Sequence, residues 1–268
     1  LLLDSSIFSN KLNLTFKFIN FIFHKNDKKH VGYKLLNCLI VLGPGFIKFG
    51  QALSTRPDLM GEETCEHLQK LQDDIKPFSY SVAKKIIESE AQKSIEDIFT
   101  TFNKIPIATA SVAQVHFGTL ENGDEVAIKI LKPNIEKLLF QDFIFFYWIS
   151  KCFELFIPKV KRLKLSKNVE ILSETSLNEI DLTMEASAAD ELAENFKDHP
   201  QYRVPKIYWE LTNKKMLVLE YIDGIKINDL SKLRREKHNV DRVTEIGTEV
   251  FFLQVFRDGF FHGDMHPG

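Results

Sequence analysis

The chain has 268 residues, 44% of them hydrophobic and 27% charged, which excludes an intrinsically disordered segment and supplies material for one large or two modest cores. With 35 basic against 37 acidic side chains the formal net charge is −2, so there is no electrostatic footprint for nucleic acid. Cys38, Cys65 and Cys152 are far apart and share no C-x-x-C spacing, which excludes a zinc or disulfide framework and fits a reducing compartment with small buried thiols.

Residues 1–30 are weakly patterned. Phe16, Phe18, Ile19, Phe21, Ile22 and Phe23 are interleaved with Lys11, Lys17 and Asn20, no small-residue cleavage site follows, and the polar run 24–30 closes the stretch. It reads as an arm able to lie on a membrane surface rather than a secretory signal. Helical periodicity then begins, with Leu35, Leu36, Leu39 and Ile40 on one face. Gly43-Pro44-Gly45 breaks the run and places Pro44 in the first turn of the next helix. That helix is expected to carry Phe46, Phe49, Ala52 and Leu53 on one side and Lys48 and Gln51 on another. Leu68, Leu71 and Ile75 predict a helix closing at Pro77, and residues 81–90 predict one more.

The period changes after Pro106. Residues 111–120 alternate as a strand should, Asn122-Gly123 is a hairpin turn, and residues 125–131 alternate again before Pro133. Two long helices are expected at 134–157 and 166–198. The first contains the most apolar stretch, 143–157, but Lys151 and Glu154 leave it short of the roughly 20 clean residues a spanning helix needs. A core or interfacial helix is expected instead. A second hairpin is predicted from 206–209 and 216–221 through Thr212-Asn213-Lys214, followed by an Asp223-Gly224 connector and a helix carrying Ile246, Val250, Leu253 and Val255. The order indicates an α+β fold: a helical extension at 31–100, a small antiparallel sheet with inserted helices at 101–223, and the start of a second lobe at 224–268.

Four constellations carry chemistry. His262-Gly263-Asp264-Met265-His266-Pro267-Gly268 follows an apolar helical segment and reads as the catalytic loop of a phosphotransferase, with Asp264 as the base beside a substrate hydroxyl. Gly263 and Pro267 oppose the helix that would align His262 and His266 on a metal. In Val126-Ala127-Ile128-Lys129, alternation puts Lys129 on the face opposite Val126 and Ile128, where it can meet phosphate oxygens if a carboxylate fixes it. The hairpin opens with Ile107-Ala108-Thr109-Ala110-Ser111-Val112-Ala113-Gln114-Val115. Small residues let such a loop approach phosphates, while alanine in place of glycine removes the freedom to adopt positive φ. Glu179, Asp181 and Glu185 are expected on one regular helix, Asp181 and Glu185 sharing a face and Glu179 pointing away, with one of them partnering Lys129. The plain alternative is a solvated strand lysine and an ordinary acidic helix surface.

Together these residues resemble the UbiB family of atypical protein-kinase-like proteins, associated with ubiquinone biosynthesis, from about residue 31 to the end. The most specific element is Lys48-Phe49-Gly50-Gln51, similar to the family's K-x-G-Q signature. The resemblance implies a protein-kinase-like fold in which Lys48 and Gln51 belong to an extension folded over the active site and Lys48 engages an E-x-D motif matching Glu179-Ile180-Asp181. It implies ATP as ligand, with 107–115 as the Ala-rich loop, Lys129 as the nucleotide lysine, Glu185 as its helix partner and Asp264 as the catalytic base. Magnesium in the intact protein would be held by the Asn and Asp of H-G-D-x-H-P-G-N and D-F-G, so the metal ligands are expected beyond Gly268. The chain is accordingly expected to be a piece of a longer protein, inactive as it stands and prone to aggregate through the apolar surface near Phe260-Phe261. Implied partners are quinone-pathway lipids or enzymes and a membrane surface, at the cytoplasmic face of a bacterial inner membrane, with no spanning helix in this chain. Two alternatives stand beside this: a small-molecule phosphotransferase of the aminoglycoside and choline kinase type, which uses a similar loop but lacks the K-x-G-Q helix, and a non-catalytic module binding nucleotide, lipid or a partner protein.

Overall fold

The computed structural model describes residues 31–71, 76–261 and 263. The expected arm at 1–30, Ile75, and His262, Asp264 and His266 of the loop motif lie outside the described residues. The helical extension contains α1 (Val31–Leu42), α2 (Pro44–Ser54), α3 (Pro57–Met60) and α4 (Glu62–Gln69). Gly43 separates the first two at φ 121, and Pro44 opens α2, where its missing N–H costs no helical hydrogen bond.

The face that α2 buries differs from the expected one. Gly45, Phe46, Ile47, Gly50 and Ser54 point inward, while Phe49 is 40% exposed and Ala52 faces solvent. The reason is Gly50: a Cβ there would lie 2.4 Å from Leu71 Cδ1 and 2.6 Å from Leu39 Cδ1, so the bare backbone is what lets both leucines close over the helix. Leu36, Leu39, Phe46, Ile47, Leu68 and Leu71 then share a core with Phe145 of a later helix. Phe49 lies aside on Phe146, with ring centroids 5.5 Å apart. Helix α4 ends at Gln69, well before Pro77.

After α5 (Tyr80–Ala91) and the short α6 (Ile95–Ile98) come β1 (Phe99–Phe102), β2 (Ala108–Thr109), β3 (Ala113–Leu120) and β4 (Glu125–Leu131). With β5 (Met216–Glu220) they form an antiparallel sheet ordered β1-β3-β4-β5, β2 pairing with β3. The β3–β4 turn runs through Asn122-Gly123 as predicted. Gly123 adopts φ 88, and Asn122 Oδ1 accepts the Asp124 amide at 3.0 Å. The second expected hairpin is reduced to one strand: its first arm is a single bridge, Ile207 to Leu219, before a 3₁₀ turn at Trp209–Leu211. Side chains take over the backbone there. Asn213 Oδ1 accepts from the Lys215 and Met216 amides, and Thr212 Oγ1 accepts from the Val218 amide.

Strand alternation gives the sheet two covered faces. Val126, Ile128, Ile130, Met216 and Val218 pack on Ala83, Ile87, Ile95 and Ile98 of α5 and α6. Leu131 and Leu217 face the other way, onto α7 (Ile135–Phe156) and α9 (Leu182–Asn195) through Leu139, Phe143, Leu182 and Ala186. Helix α8 (Leu165–Asn178) runs along α7. The single helix expected over 166–198 is therefore two, broken at Glu179-Ile180-Asp181. Asp181 ends the continuity because its carboxylate accepts the Thr183 amide at 3.1 Å, capping α9. The chain continues through α10 (Leu230–Arg235) and α11 (Val240–Phe252) into a π-helical turn at Leu253–Asp258. Among the described residues no helix is long and apolar enough to cross a membrane.

One polar chain crosses this apolar interior. His116 Nδ1 donates to the Asn103 carbonyl at 2.9 Å, which leaves Nε2 to accept from Gln114 Nε2 at 2.8 Å, and Gln114 Oε1 accepts the Phe78 amide at 3.0 Å. Gln114 and His116 are fully buried, and desolvation pushes the His116 imidazole below its ordinary 6.5. The unfolded chain thus takes a proton on acidification before the folded one does, so this site subtracts stability as pH falls below 6.5. His116→Phe is expected to cost about 1–3 kcal/mol at neutral pH by leaving the buried Gln114 amide without its partner and the Asn103 carbonyl without its donor, a difference that narrows at acidic pH in urea titrations. Gly45→Ala, whose Cβ would lie 2.4 Å from Asp142 Cβ, is expected to cost about 1–3 kcal/mol. Gly247→Ala in mid-α11, with nothing near its Cβ, is expected to gain up to about 1 kcal/mol in the same titrations.

Candidate active site

The site begins with strand register. Ala108 pairs with Val115, Val115 with Lys129 and Lys129 with Leu217, so these four side chains form one row across one sheet face. The next row on that face is Phe117, Ala127 and Leu219. Helix α9 covers Leu217 completely, while Val115, Phe117, Ala127 and Leu219 stay half-buried and Ala108 is exposed. The result is a shallow apolar floor with one cation, Lys129, at its margin. Phe117 is held edge-on against Tyr221, with centroids 4.9 Å apart.

Glu185 reaches Lys129 because of where it falls on α9. Leu182 and Ala186 are the buried seam of that helix, and Glu185 lies beside the seam on the side nearest the sheet. Its two carboxylate oxygens accept from Lys129 Nζ at 2.8 and 2.6 Å. The lysine side chain is 25% exposed and the glutamate 49%, so the pair is wet and open rather than entombed.

A second ion pair joins the extension to the same helix pair. Lys48 of α2 contacts Glu179 at the break between α8 and α9. Asp181, two residues on, takes no part: the Thr183 hydroxyl chiefly, opposed by desolvation and helped by the Thr183 amide and Lys214, holds its carboxyl below the ordinary range. Lys214 Nζ lies 3.7 Å away and the Lys214 carbonyl accepts the Leu182 amide, fastening the start of α9 to the approach of β5. Gln51 is also directed elsewhere. Its amide donates to the Leu71 carbonyl at 3.0 Å and holds the chain just after α4.

The candidate loop at 107–115 divides in two. Ile107 and Ala108 are exposed and Thr109 and Ala110 half-buried, whereas Ser111, Val112, Ala113 and Gln114 are buried, Val112 and Ala113 within the α7–α9 core. Ala110 closes the turn by donating to the Ala113 carbonyl at 2.8 Å. No residue of the loop adopts positive φ, as expected where alanine replaces glycine. Among the described residues no three His, Cys, Asp or Glu side chains are placed to hold a metal.

Sequence reasoning overlooked the floor residues Phe117 and Leu219, and it overlooked Asp142. This buried carboxylate on α7 accepts the Gly45 amide at 2.9 Å at the start of α2, and thereby sets the helix that carries Lys48. An isolated acid on the apolar face of α7, opposite a glycine pair, was its only signal.

A family model for the ABC1 atypical kinase-like domain matches residues 70–268. The chain is 41% identical over 237 residues to a "Probable protein kinase UbiB" of Pseudomonas paraeruginosa, covering 88% of this chain and 44% of that protein. It is 43% identical over 237 residues to the protein of the same name from Marinobacter nauticus, covering 88% and 43%. The chain belongs to the UbiB family. Among solved structures, the Rv3197–erythromycin complex from Mycobacterium tuberculosis matches with a TM-score of 0.59 at 26% identity, covering 98% of this chain and 61% of that one. The fold is thus kinase-like, and this UbiB-family chain spans less than half the length of the curated relatives it matches.

The two acids of Glu179-Ile180-Asp181 are separable by stability. Asp181→Ala is expected to lose about 1 kcal/mol by uncapping α9, and Glu179→Gln about 1 kcal/mol or less because the Glu179 side chain is 42% exposed. The folded Asp181 carboxyl lies below 3.8, so its contribution is complete above that pH and disappears as pH falls through the folded value. Thermal melts of Asp181→Ala and wild type should therefore converge in acid.

Proposed function

We propose that the intact protein is a UbiB-type ATP-dependent phosphotransferase or ATPase that supports ubiquinone biosynthesis. The observation that carries this reading is the Lys129–Glu185 pair at the margin of the apolar floor. A flat ring would lie against Phe117, Ala127 and Leu219, the exposed start of the 107–115 loop lies across one intervening strand from Lys129, and the lysine presents a positive charge to phosphate oxygens. Magnesium-bound ATP would supply the transferable phosphoryl group. Glu185 keeps the ammonium in place, and Asp264 accepts the proton of the attacking hydroxyl or water.

The Lys48–Glu179 pair supports a restricted acceptor side. It fastens α2 to the helix break that precedes Glu185, which favours water or a small acceptor over a protein side chain. Quinone-pathway lipids or enzymes at the cytoplasmic membrane face are the partners that this chemistry suits.

ATP turnover by the full-length protein tests the reading. Lys129→Ala, Glu185→Gln and Asp264→Asn should each lower kcat/KM by about a hundredfold or more. Ala127→Phe, which fills the floor without removing a charge, should raise KM for ATP with little change in thermal stability. Unchanged turnover in Lys129→Ala and Asp264→Asn would remove both residues from the mechanism.

A further inference from the structure

The most unusual surface of the molecule is the turn that joins α7 to α8. Leu155 and Phe156 are 75% and 76% exposed, and Phe153, Ile157 and Leu163 also stand in solvent. Such a concentration of large apolar side chains at one tip is not the scatter that ordinary surfaces carry. The charges that follow it are of one sign. Between Glu154 and Glu170 the sequence contains Lys159, Lys161, Arg162, Lys164 and Lys167 and no acid. Lys159, Lys161, Arg162 and Lys164 are all exposed and none forms an ion pair within 4.0 Å among the described residues, although Lys161 is near enough to Glu154 to help hold that carboxyl below its ordinary range, and Lys167 lies 3.3 Å from Glu170 at the flank.

The turn is also built to hold its shape. Glu154 Oε1 accepts the Ser166 amide at 2.9 Å, both its oxygens contact the Ser166 hydroxyl, and residues 161–163 form a 3₁₀ turn ended by Lys164 at φ 48. Ser166 is buried, so the staple lies beneath the tip and leaves the apolar and basic side chains outside. Cations ringing exposed Leu and Phe is the chemistry of an interfacial anchor: the rings enter the headgroup boundary while the ammonium and guanidinium groups remain with anionic headgroups.

We propose that the α7–α8 turn docks on an anionic lipid bilayer. The net charge of the whole chain, −2, would not draw it there, so the local cluster determines both attraction and orientation. Helix α8 leads straight from this turn to Glu179, about 20 Å along its axis. A membrane bound at the tip thus sits at the far end of the helix that carries the Lys48 partner. The proposal deepens the membrane-partner part of the function above but requires no nucleotide, so its test is run without ATP and its failure is separate from that of the Lys129 chemistry.

Density-gradient flotation of the 268-residue chain with vesicles of phosphatidylcholine alone, and of phosphatidylcholine mixed with phosphatidylglycerol, provides the measurement, since aggregated chain does not float. Binding is expected to the mixed vesicles, to weaken with added salt, and to fall by about tenfold or more both in Lys159→Glu/Lys161→Glu/Arg162→Glu and in Leu155→Ser/Phe156→Ser. Both variants change exposed side chains only, and equal melting temperatures will establish that they fold. Equal binding to neutral vesicles would overturn the electrostatic basis. Mixed-vesicle binding that survives both variants would assign the membrane contact to another part of the chain. Retention on immobilised polyglutamate without vesicle binding would make the turn a site for an acidic protein and overturn the proposal.

Discussion

Strand β4 is the constraint on which the site depends. Because its side chains alternate, the strand can commit Val126, Ile128 and Ile130 to one core and Leu131 to the other, and neither commitment leaves room for choice in the placement of Lys129. A slip of one residue would bury the ammonium under α5 and expose three β-branched side chains. The energy that fixes the lysine is therefore hydrophobic burial on both faces of the sheet, far larger than any contribution from its own ion pair. Glu185 inherits its position in the same way, from the Leu182 and Ala186 seam of α9 that presses on Leu217. The charged pair is a consequence of packing, and it can remain open to water because nothing structural rests on it.

The helical extension follows a different logic. Lys48 and Glu179 meet where the glutamate remains open to water, a contact worth about 1 kcal/mol or less, so it orients α2 without locking it. What fixes α2 is sterically demanding: Gly45 against the buried Asp142 and Gly50 under Leu39 and Leu71. Within Lys48-Phe49-Gly50-Gln51 the work is divided by helical angle. Gly50 permits close packing, Gln51 ties down the Leu71 carbonyl, and Lys48 is the one residue free to reach the neighbouring helices. A rigid platform carrying a weak latch is suited to repeated opening, since each 1.4 kcal/mol of latch energy would suppress the open state tenfold.

Period and turn chemistry made much of this legible in the sequence. The β3–β4 strands and the face that carries Lys129 follow from alternation, the Asn122-Gly123 turn from its residue types, and the Pro44 start of α2 from the Gly-Pro-Gly break. Three features were hidden for physical reasons. The break at Glu179-Ile180-Asp181 is made by a side-chain cap, which leaves the apolar spacing on either side looking like one helix. The rotation of α2 depends on Leu39 and Leu71 finding a glycine, a tertiary fit that helical periodicity within α2 does not contain. The apolar floor needed cross-strand register, which relates Phe117 and Leu219 only through the intervening Ala127.

The break in the acidic segment also explains how two carboxylates separated only by Ile180 come to have unrelated duties. On a continuous helix Glu179 and Asp181 would diverge in direction but share one rigid frame, and any force on one would be felt by the other. Here Asp181 belongs to α9, committed to Thr183 and near Lys214, while Glu179 terminates α8 and answers to Lys48. Movement of α8 against α2 can thus make or break the Lys48 contact while the cap keeps α9, Glu185 and Lys129 in register. The short interruption separates the contact with α2 from the capped start of α9, a separation that an uninterrupted helix of the same composition would lack.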